Sequence, residues 1–424
     1  MLAASTLLSG CGGGAGAPTT QAPEQPVRVT QPQEVEPRTP SRYIAGREIP
    51  GSLNYPDDAV RVGLLLPLTG QDAQLGQTML RAAQLALFDA GEDRLVLMPR
   101  DTQGAPQGAQ RAAEQLLADG VEVILGPLFS SSISAIAGLA QQAGVPVIGF
   151  SNDTTVSGGN VYLLGFTPEQ QVERIVRFAR AQGIRRFAAL VPDNNFGERV
   201  LSAYRDTLLQ TGGVLRRVER FGTSEESKFA AARSLANYDS RQQALQEERA
   251  ALEALGADDG MVQELLEGLE VQDTYGDVGF EAVLIAAGGR DLQAVAPLLP
   301  YYDVDPDKVK FLGLGLWDDP TITREPSLYD AWFAAPEPAA RERFSDYFEQ
   351  VYGSRPPRIT SLAYDAVALS VSLIRQHENE PFARRNLMGE TGFAGIDGVF
   401  RFNATGIAER GLAVIRVTED GLMP

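Results

Sequence analysis

From Val60 onward, short unbroken apolar runs alternate with stretches whose apolar residues recur at helical spacing. The runs at 61–66, 95–98, 121–125 and 145–150 are bounded by Pro, Gly and Asp, the pattern of strands buried on both faces of a parallel sheet. Between them, residues 77–90 bring Leu80, Ala83 and Leu87 onto one helical face, and residues 109–118 do so with Ala113, Leu116 and Leu117. A second set follows: helix 168–182, strand 186–191, helix 197–210, and strands 214–221, 280–286 and 309–313. The pattern predicts an α/β chain with two doubly wound parallel-sheet lobes. Helices at 338–352 and 361–376, and a hairpin-like pairing of 398–402 with 412–417, are too few for a third domain and should return to complete the two lobes. The expected division is a first lobe of about 58–164 plus 335–392 and a second of about 165–334 plus 393–424.

The connection between the strands at 214–221 and 280–286 is longer than one crossover helix needs. After a helix at 227–236, residues 239–273 carry Leu245, Leu252 and Leu255, then Val262, Leu265, Leu266 and Leu269, at helical spacing on either side of Gly256 and Gly260. This predicts an inserted helical hairpin in the second lobe. Its other faces hold Glu247, Glu248, Glu253, Glu264 and Glu267, an acidic surface that a basic partner could read.

Ahead of Val60 the periodicity stops. Residues 12–57 are Pro, Gln, Thr, Glu and Gly with few large apolar side chains, a composition that cannot offset its ordering entropy by burial. They read as a tether, averaging about 40 Å as a coil and reaching roughly 140 Å as polyproline II. Before it, Leu8-Ser9-Gly10-Cys11 closes a short apolar leader over residues 1–11. The order resembles a bacterial lipobox, which makes Cys11 the acylated residue, although the leader is shorter than a full secretory signal and carries no Lys or Arg. Gly12 in place of Asp is the form that, in such lipoproteins, goes with the outer membrane.

Cys11 is the single cysteine, so an intrachain disulfide is excluded, and no apolar run reaches the roughly 18 residues of a membrane helix. Lipid is then the expected membrane attachment. With 37 basic against 55 acidic residues and a net charge of −18, nucleic acid is excluded as a general partner. Catalytic motifs are incomplete. Gly149-Phe150-Ser151-Asn152-Asp153 has Asp where a nucleophile elbow needs its second Gly, and Asp303, Asp305 and Asp307 are followed by Lys308 where a calcium loop needs Gly. The expectation is a chain with no enzymatic activity, no cofactor and no metal.

Two strings in the first lobe, Arg61-Val62-Gly63-Leu64-Leu65-Leu66-Pro67-Leu68-Thr69-Gly70 and Gly126-Pro127-Leu128-Phe129-Ser130-Ser131-Ser132, resemble type I periplasmic binding proteins of the leucine/isoleucine/valine-binding class. So do Val191-Pro192-Asp193-Asn194-Asn195-Phe196-Gly197 and Ser361-Leu362-Ala363-Tyr364-Asp365-Ala366-Val367. The resemblance implies the type I fold, two lobes joined by a hinge of several crossovers. The lipobox, the tether and the string Gly395-Ile396-Asp397-Gly398-Val399-Phe400-Arg401-Phe402 further resemble LpoA-like penicillin-binding protein activators.

The resemblance also places a candidate ligand cleft. Ser130, Ser131 and Ser132 open a helix where hydroxyls and amides can accept an anion, or where serine simply caps the helix. Ser151, Asn152 and Asp153 form the loop that gives amino-acid binders a hydroxyl for the ligand carboxylate, and Asp153 would repel that group. Gln74 and Leu75 stand where those binders often carry an aromatic ring, and Asn195 and Phe196 where they often present a tyrosine hydroxyl. Arg290 and Asp291 stand where a carboxylate holds the ligand ammonium. The functional expectation is an outer-membrane lipoprotein facing the periplasm of a Gram-negative bacterium, which binds and activates a class A penicillin-binding protein. The alternative is a solute receptor of an ABC importer, taking an amino acid or another anion-bearing small ligand into the cleft.

Overall fold

The computed structural model describes residues 58–255 and 260–424; the leader, Cys11, the tether and Gly256 lie outside them. The first lobe is built on a five-stranded parallel sheet of β1 (Val60–Leu66), β2 (Leu95–Asp101), β3 (Val123–Leu125), β4 (Val147–Gly149) and β5 (Val161–Leu163), in the order 2-1-3-4-5. Its crossovers are α1 (Ala73–Ala90), α2 (Pro106–Ala118) and α3 (Ser130–Ala143). One crossover out, α4 (Pro168–Ala181) starts the second lobe, followed by β6 (Arg186–Pro192), α5 (Asn195–Thr211), β7 (Val214–Phe221) and α6 (Glu225–Leu235). Next come α7 (Tyr238–Leu255), α8 (Gly260–Glu270), β8 (Ala282–Ile285), α9 (Gly289–Val295), α10 (Leu298–Tyr301), β9 (Lys310–Gly313) and β10 (Trp332–Ala335).

The chain then returns through α11 (Pro338–Tyr352), α12 (Ser361–Gln376) and α13 (Arg384–Leu387). It continues into β11 (Phe393–Gly395), β12 (Gly398–Phe402), β13 (Ala408–Arg410), β14 (Ala413–Thr418) and β15 (Gly421–Met423). The second sheet runs 15-14-10-9-8-6-7, so strands 7-6-8-9-10 repeat the order of the first lobe. This is the type I periplasmic-binding-protein fold. In both lobes the sheet is covered on two faces, which is why its inner strands read as continuous apolar runs, whereas the edge strand β7 carries Arg216, Arg217, Glu219 and Arg220.

The C-terminal strands differ from the hairpin expected of 398–402 with 412–417. β12 pairs with β11 and β13, whereas β14 lies antiparallel to β10 as an added strand of the second-lobe sheet. Phe400, Phe402 and Ala408 are buried in the first-lobe core beside Tyr162 and Leu362, so residues 393–410 pack with the first lobe and only β14 and β15 with the second. Burial decides this: Phe400 and Phe402 face the same side of β12, and that side finds the exposed edge of the first-lobe core.

Helix N-termini are seated hard against strand ends in both lobes. A Cβ on Gly76 would lie 2.0 Å from the Pro67 carbonyl oxygen, and one on Gly197 would lie 1.9 Å from that of Pro192. Only glycine permits these approaches, which aim the first turns of α1 and α5 at the space between the lobes.

Candidate functional site

The cleft lies where the carboxyl ends of the two sheets face each other, the usual ligand position in this topology. On the first-lobe side, Ser130 opens α3, but the N-cap is Phe129 and no serine side chain caps the helix. Ser131 is exposed, and Ser132 is buried with its hydroxyl unpartnered. The loop after β4 brings a carboxylate beside this helix end, where Asp153 caps its own short turn over Thr154–Val156. Asp153 Oδ1 accepts from the Thr155 amide at 3.1 Å and the Thr155 hydroxyl at 2.7 Å, and the Ser130 hydroxyl also reaches the carboxylate. Partial burial pushes the Asp153 carboxyl up, but these hydrogen bonds and nearby Arg199 outweigh it and hold the group below its ordinary range. Ser151 turns inward, its Oγ accepting from the Asp153 amide at 3.0 Å, while the Asn152 side chain is exposed.

Gln74 and Leu75 stand in the first turn of α1, not in a loop: Gln74 is exposed and Leu75 packs on the first-lobe core. In the second lobe, Asn195 is exposed in the first turn of α5 and Phe196 packs against the core formed by α4, α5 and the sheet. Arg290 and Asp291 lie in the first turn of α9, where Arg290 is exposed and Asp291 is held by buried Lys228 of α6 at 3.0 Å. A ligand ammonium would have to compete with that lysine. One contact crosses the mouth of the cleft: Arg199 of α5, fixed to Glu169 at 2.8 Å, donates to the Asn152 carbonyl at 2.7 Å.

The insert stands as a pair of packed helices on the second lobe. Arg241 anchors its base, donating to the carbonyls of Gly276 and Asp303 at 3.1 and 3.2 Å. Leu245, Val262 and Leu269 are buried between or beneath α7 and α8. Glu247, Glu253, Glu264 and Glu267 are exposed, Glu248 is half-buried, and Leu255, Met261, Leu265 and Val271 are exposed among them. The outer surface is therefore acidic and apolar together.

A profile of the periplasmic binding protein family matches residues 59–421. The chain belongs to that family. Among curated relatives, this periplasmic binding protein is 24% identical over 178 residues to the uncharacterized protein RP748 of Rickettsia prowazekii, a match covering 42% of this chain and 47% of that protein. It is 27% identical over 173 residues to the penicillin-binding protein activator LpoA of Pasteurella multocida, covering 40% and 29%. The matched region thus spans less than half the length of either relative. Among solved structures, a putative branched-chain amino acid ABC transporter protein of Rhodospirillum rubrum superposes with a TM-score of 0.67 at 17% identity, covering 86% of this chain and 99% of that one. The C-domain of LpoA from Haemophilus influenzae, a regulator of PBP1A, gives 0.58 at 16%, covering 86% and 99%. Family membership carries a periplasmic or envelope location, and the relatives with a named role are binding proteins or activators.

In this periplasmic binding protein, the densest group of buried charges lies at the crossovers rather than in the cleft. Asp318 follows β9 and accepts from Arg341 of α11 at 3.0 Å, with Arg358 Nε 3.0 Å from its other oxygen. Arg358 also pairs with Asp397, which accepts from Ser361 at 2.5 Å. Asp365 of α12 accepts from the Ile396 amide at 2.7 Å, with Arg410 Nη1 at 3.7 Å. The guanidinium groups of Arg358 and Arg410 both lie against the Phe166 ring, at 4.4 and 5.0 Å from its centre. Burial pushes Asp318 and Asp365 up, Asp365 to about 7, against the pull of their arginines. These residues escaped the sequence reading because their partners are far apart in the chain. The one signal was Asp365 within the otherwise apolar 362–367. Two surface hollows of about 370 Å³ each, one beside Asp89 and Tyr364 and one beside Arg216 and Asp277, lie away from the cleft.

Proposed function

We propose that this chain is a non-enzymatic envelope lipoprotein, acylated at Cys11 in the outer membrane, that binds a class A penicillin-binding protein and shifts it toward its active state. The shift requires only that it bind the active state of the synthase more tightly than the inactive one. The observation that carries the reading is the self-paired cleft: Asp153, beside Ser130, is bound to Thr155 of its own turn, and Lys228 holds the carboxylate that a ligand ammonium would use. A binding fold whose polar ligand groups are bound to each other is suited to recognising a surface. The likeness to LpoA in sequence and fold supports the same reading.

The docking face proposed is the α7–α8 insert, whose exposed glutamates complement a basic surface and whose Leu255, Met261 and Leu265 add apolar contact. The test immobilises the periplasmic part of each class A penicillin-binding protein of the same organism and measures binding of the full chain at physiological salt. Saturable binding is expected, weakened by Glu247→Lys, Glu248→Lys and Glu253→Lys together. Absence of binding to every synthase would overturn the reading and return attention to a transported solute.

A further inference from the structure

The six-charge cluster joins segments that a hinge motion would have to separate. Asp318 belongs to the second lobe, next to Trp317, which is fully buried in that core. Arg341 and Arg358 belong to the first lobe, on α11 and on the turn before α12. Phe166 lies in the first crossover, Arg341 is the fourth residue of the helix after the second, and Arg410 closes β13 at the start of the third. The side chains of Asp318, Asp397, Asp365 and Arg410 are at most 2% exposed. At the third crossover, Gln170 of α4 donates to the Ala408 carbonyl at 2.7 Å and accepts from the Arg410 amide at 3.2 Å, tying the second lobe to β13.

Rotation of one lobe against the other would part Asp318 from Arg341 and Arg358 together. A buried carboxylate stripped of its charged partners is among the most destabilising states a protein interior offers. Arg358 cannot follow Asp318, because it is also paired with Asp397 and stacked on Phe166. We infer that the Asp318–Arg341–Arg358–Asp397 chain, continued through Phe166 to Arg410 and Asp365, is a hinge lock that holds both lobes in one fixed arrangement. The protein then presents its surfaces as a rigid platform, in place of the opening and closing by which hinged receptors capture solutes. The lock holds whatever partner the surfaces meet, so its test contains no synthase and can fail or succeed separately from the functional proposal.

The test measures the distance between spin labels by pulsed electron resonance in the full chain carrying Cys11→Ser. The labels sit at Gln107→Cys and Ser202→Cys, exposed positions on α2 and α5. A single narrow distance is expected, unchanged by millimolar L-leucine. Asp318→Asn and Arg358→Gln should each lose the single distance, giving a broadened or second population while thermal unfolding stays cooperative. Arg199→Ala, which removes the contact across the cleft mouth and the Glu169 ion pair within the second lobe but leaves the hinge cluster intact, should keep the narrow distance. The inference is overturned if the parent chain already shows a broad or double distribution or one that leucine shifts. It is equally overturned if Arg199→Ala alone broadens it, or if both hinge variants fold and keep the parent distribution. Should neither hinge variant fold, the parent chain and Arg199→Ala still decide.

Discussion

Replacing Arg358 with Ala is expected to destabilise the protein far more than replacing Arg355, although Arg355 has more ionic partners. Arg355 pairs with Glu342, Asp346 and Glu349 on the surface of α11, with about half of its side chain in water. Arg358 pairs with two aspartates only, but those side chains are 1% and 0% exposed. Its loss leaves Asp397 with the Ser361 hydroxyl alone and Asp318 with Arg341 alone. Truncating one partner of a buried ion pair costs about 3–5 kcal/mol. The Arg358 side chain is 23% exposed, so water enters the gap and the lower end, about 3 kcal/mol, applies. That corresponds to roughly a 150-fold loss in the folding equilibrium constant. Arg355→Ala should leave stability within experimental error, because surface pairs are screened and their side chains must be ordered to form them. Urea unfolding followed by the fluorescence of the two tryptophans, Trp317 buried in the second-lobe core and Trp332 on β10, reads both variants. An Arg355→Ala loss equal to or larger than that of Arg358→Ala would refute the reasoning.

Asp365 gives a pH signature: its carboxyl, raised to about 7 in the fold, titrates near 3.9 when unfolded. Its contribution is therefore fully present below about pH 4 and lost as pH rises through about 7. The stability of the parent chain minus that of Asp365→Asn should fall between pH 4.5 and 8, and a flat difference would contradict it. Asp153→Thr removes the carboxylate beside Ser130; calorimetry should show leucine binding by this variant and none by the parent chain, and equal binding by both would count against a self-paired cleft. Gly197→Ala drives a Cβ into the Pro192 carbonyl and should cost about 1–3 kcal/mol, read as a lowered urea midpoint. An unchanged midpoint would mean that α5 can shift outward freely.

The central strands β1, β3, β4, β6, β8 and β9 were legible because burial on both faces makes them read as apolar runs. β7, an edge strand with Arg216, Arg217, Glu219 and Arg220, was placed by its position after α5, and the three-residue β5 was not marked at all. β10 was not legible: Trp332–Ala335 is four residues long and follows a stretch of short turns, so no periodicity marks it. The C-terminal pairing was misread because nearness in sequence favours a hairpin, whereas the apolar side of β12 is claimed by the first-lobe core and β14 by the edge of β10. The cleft residues could be placed from the family resemblance, but their mutual pairing could not. Nothing in the sequence says that Lys228 reaches Asp291 across two elements. The hinge charges were hidden for the same reason, since Asp318, Arg358 and Asp397 come from three segments with no shared motif.

The borrowed strands and helices also bear on how the chain is made and exported. All five strands of the first-lobe sheet have emerged by Leu163, yet α12, which shares the core of β1 and α1, ends at Gln376. β14, which seals the β10 edge of the other sheet, ends only at Thr418. Neither lobe can therefore finish early and wait for the other, as domains that fold in order of synthesis do. Until its last segments arrive, the chain offers bare strand edges and uncovered apolar faces, the surface that a holding chaperone grips and a translocation channel can thread.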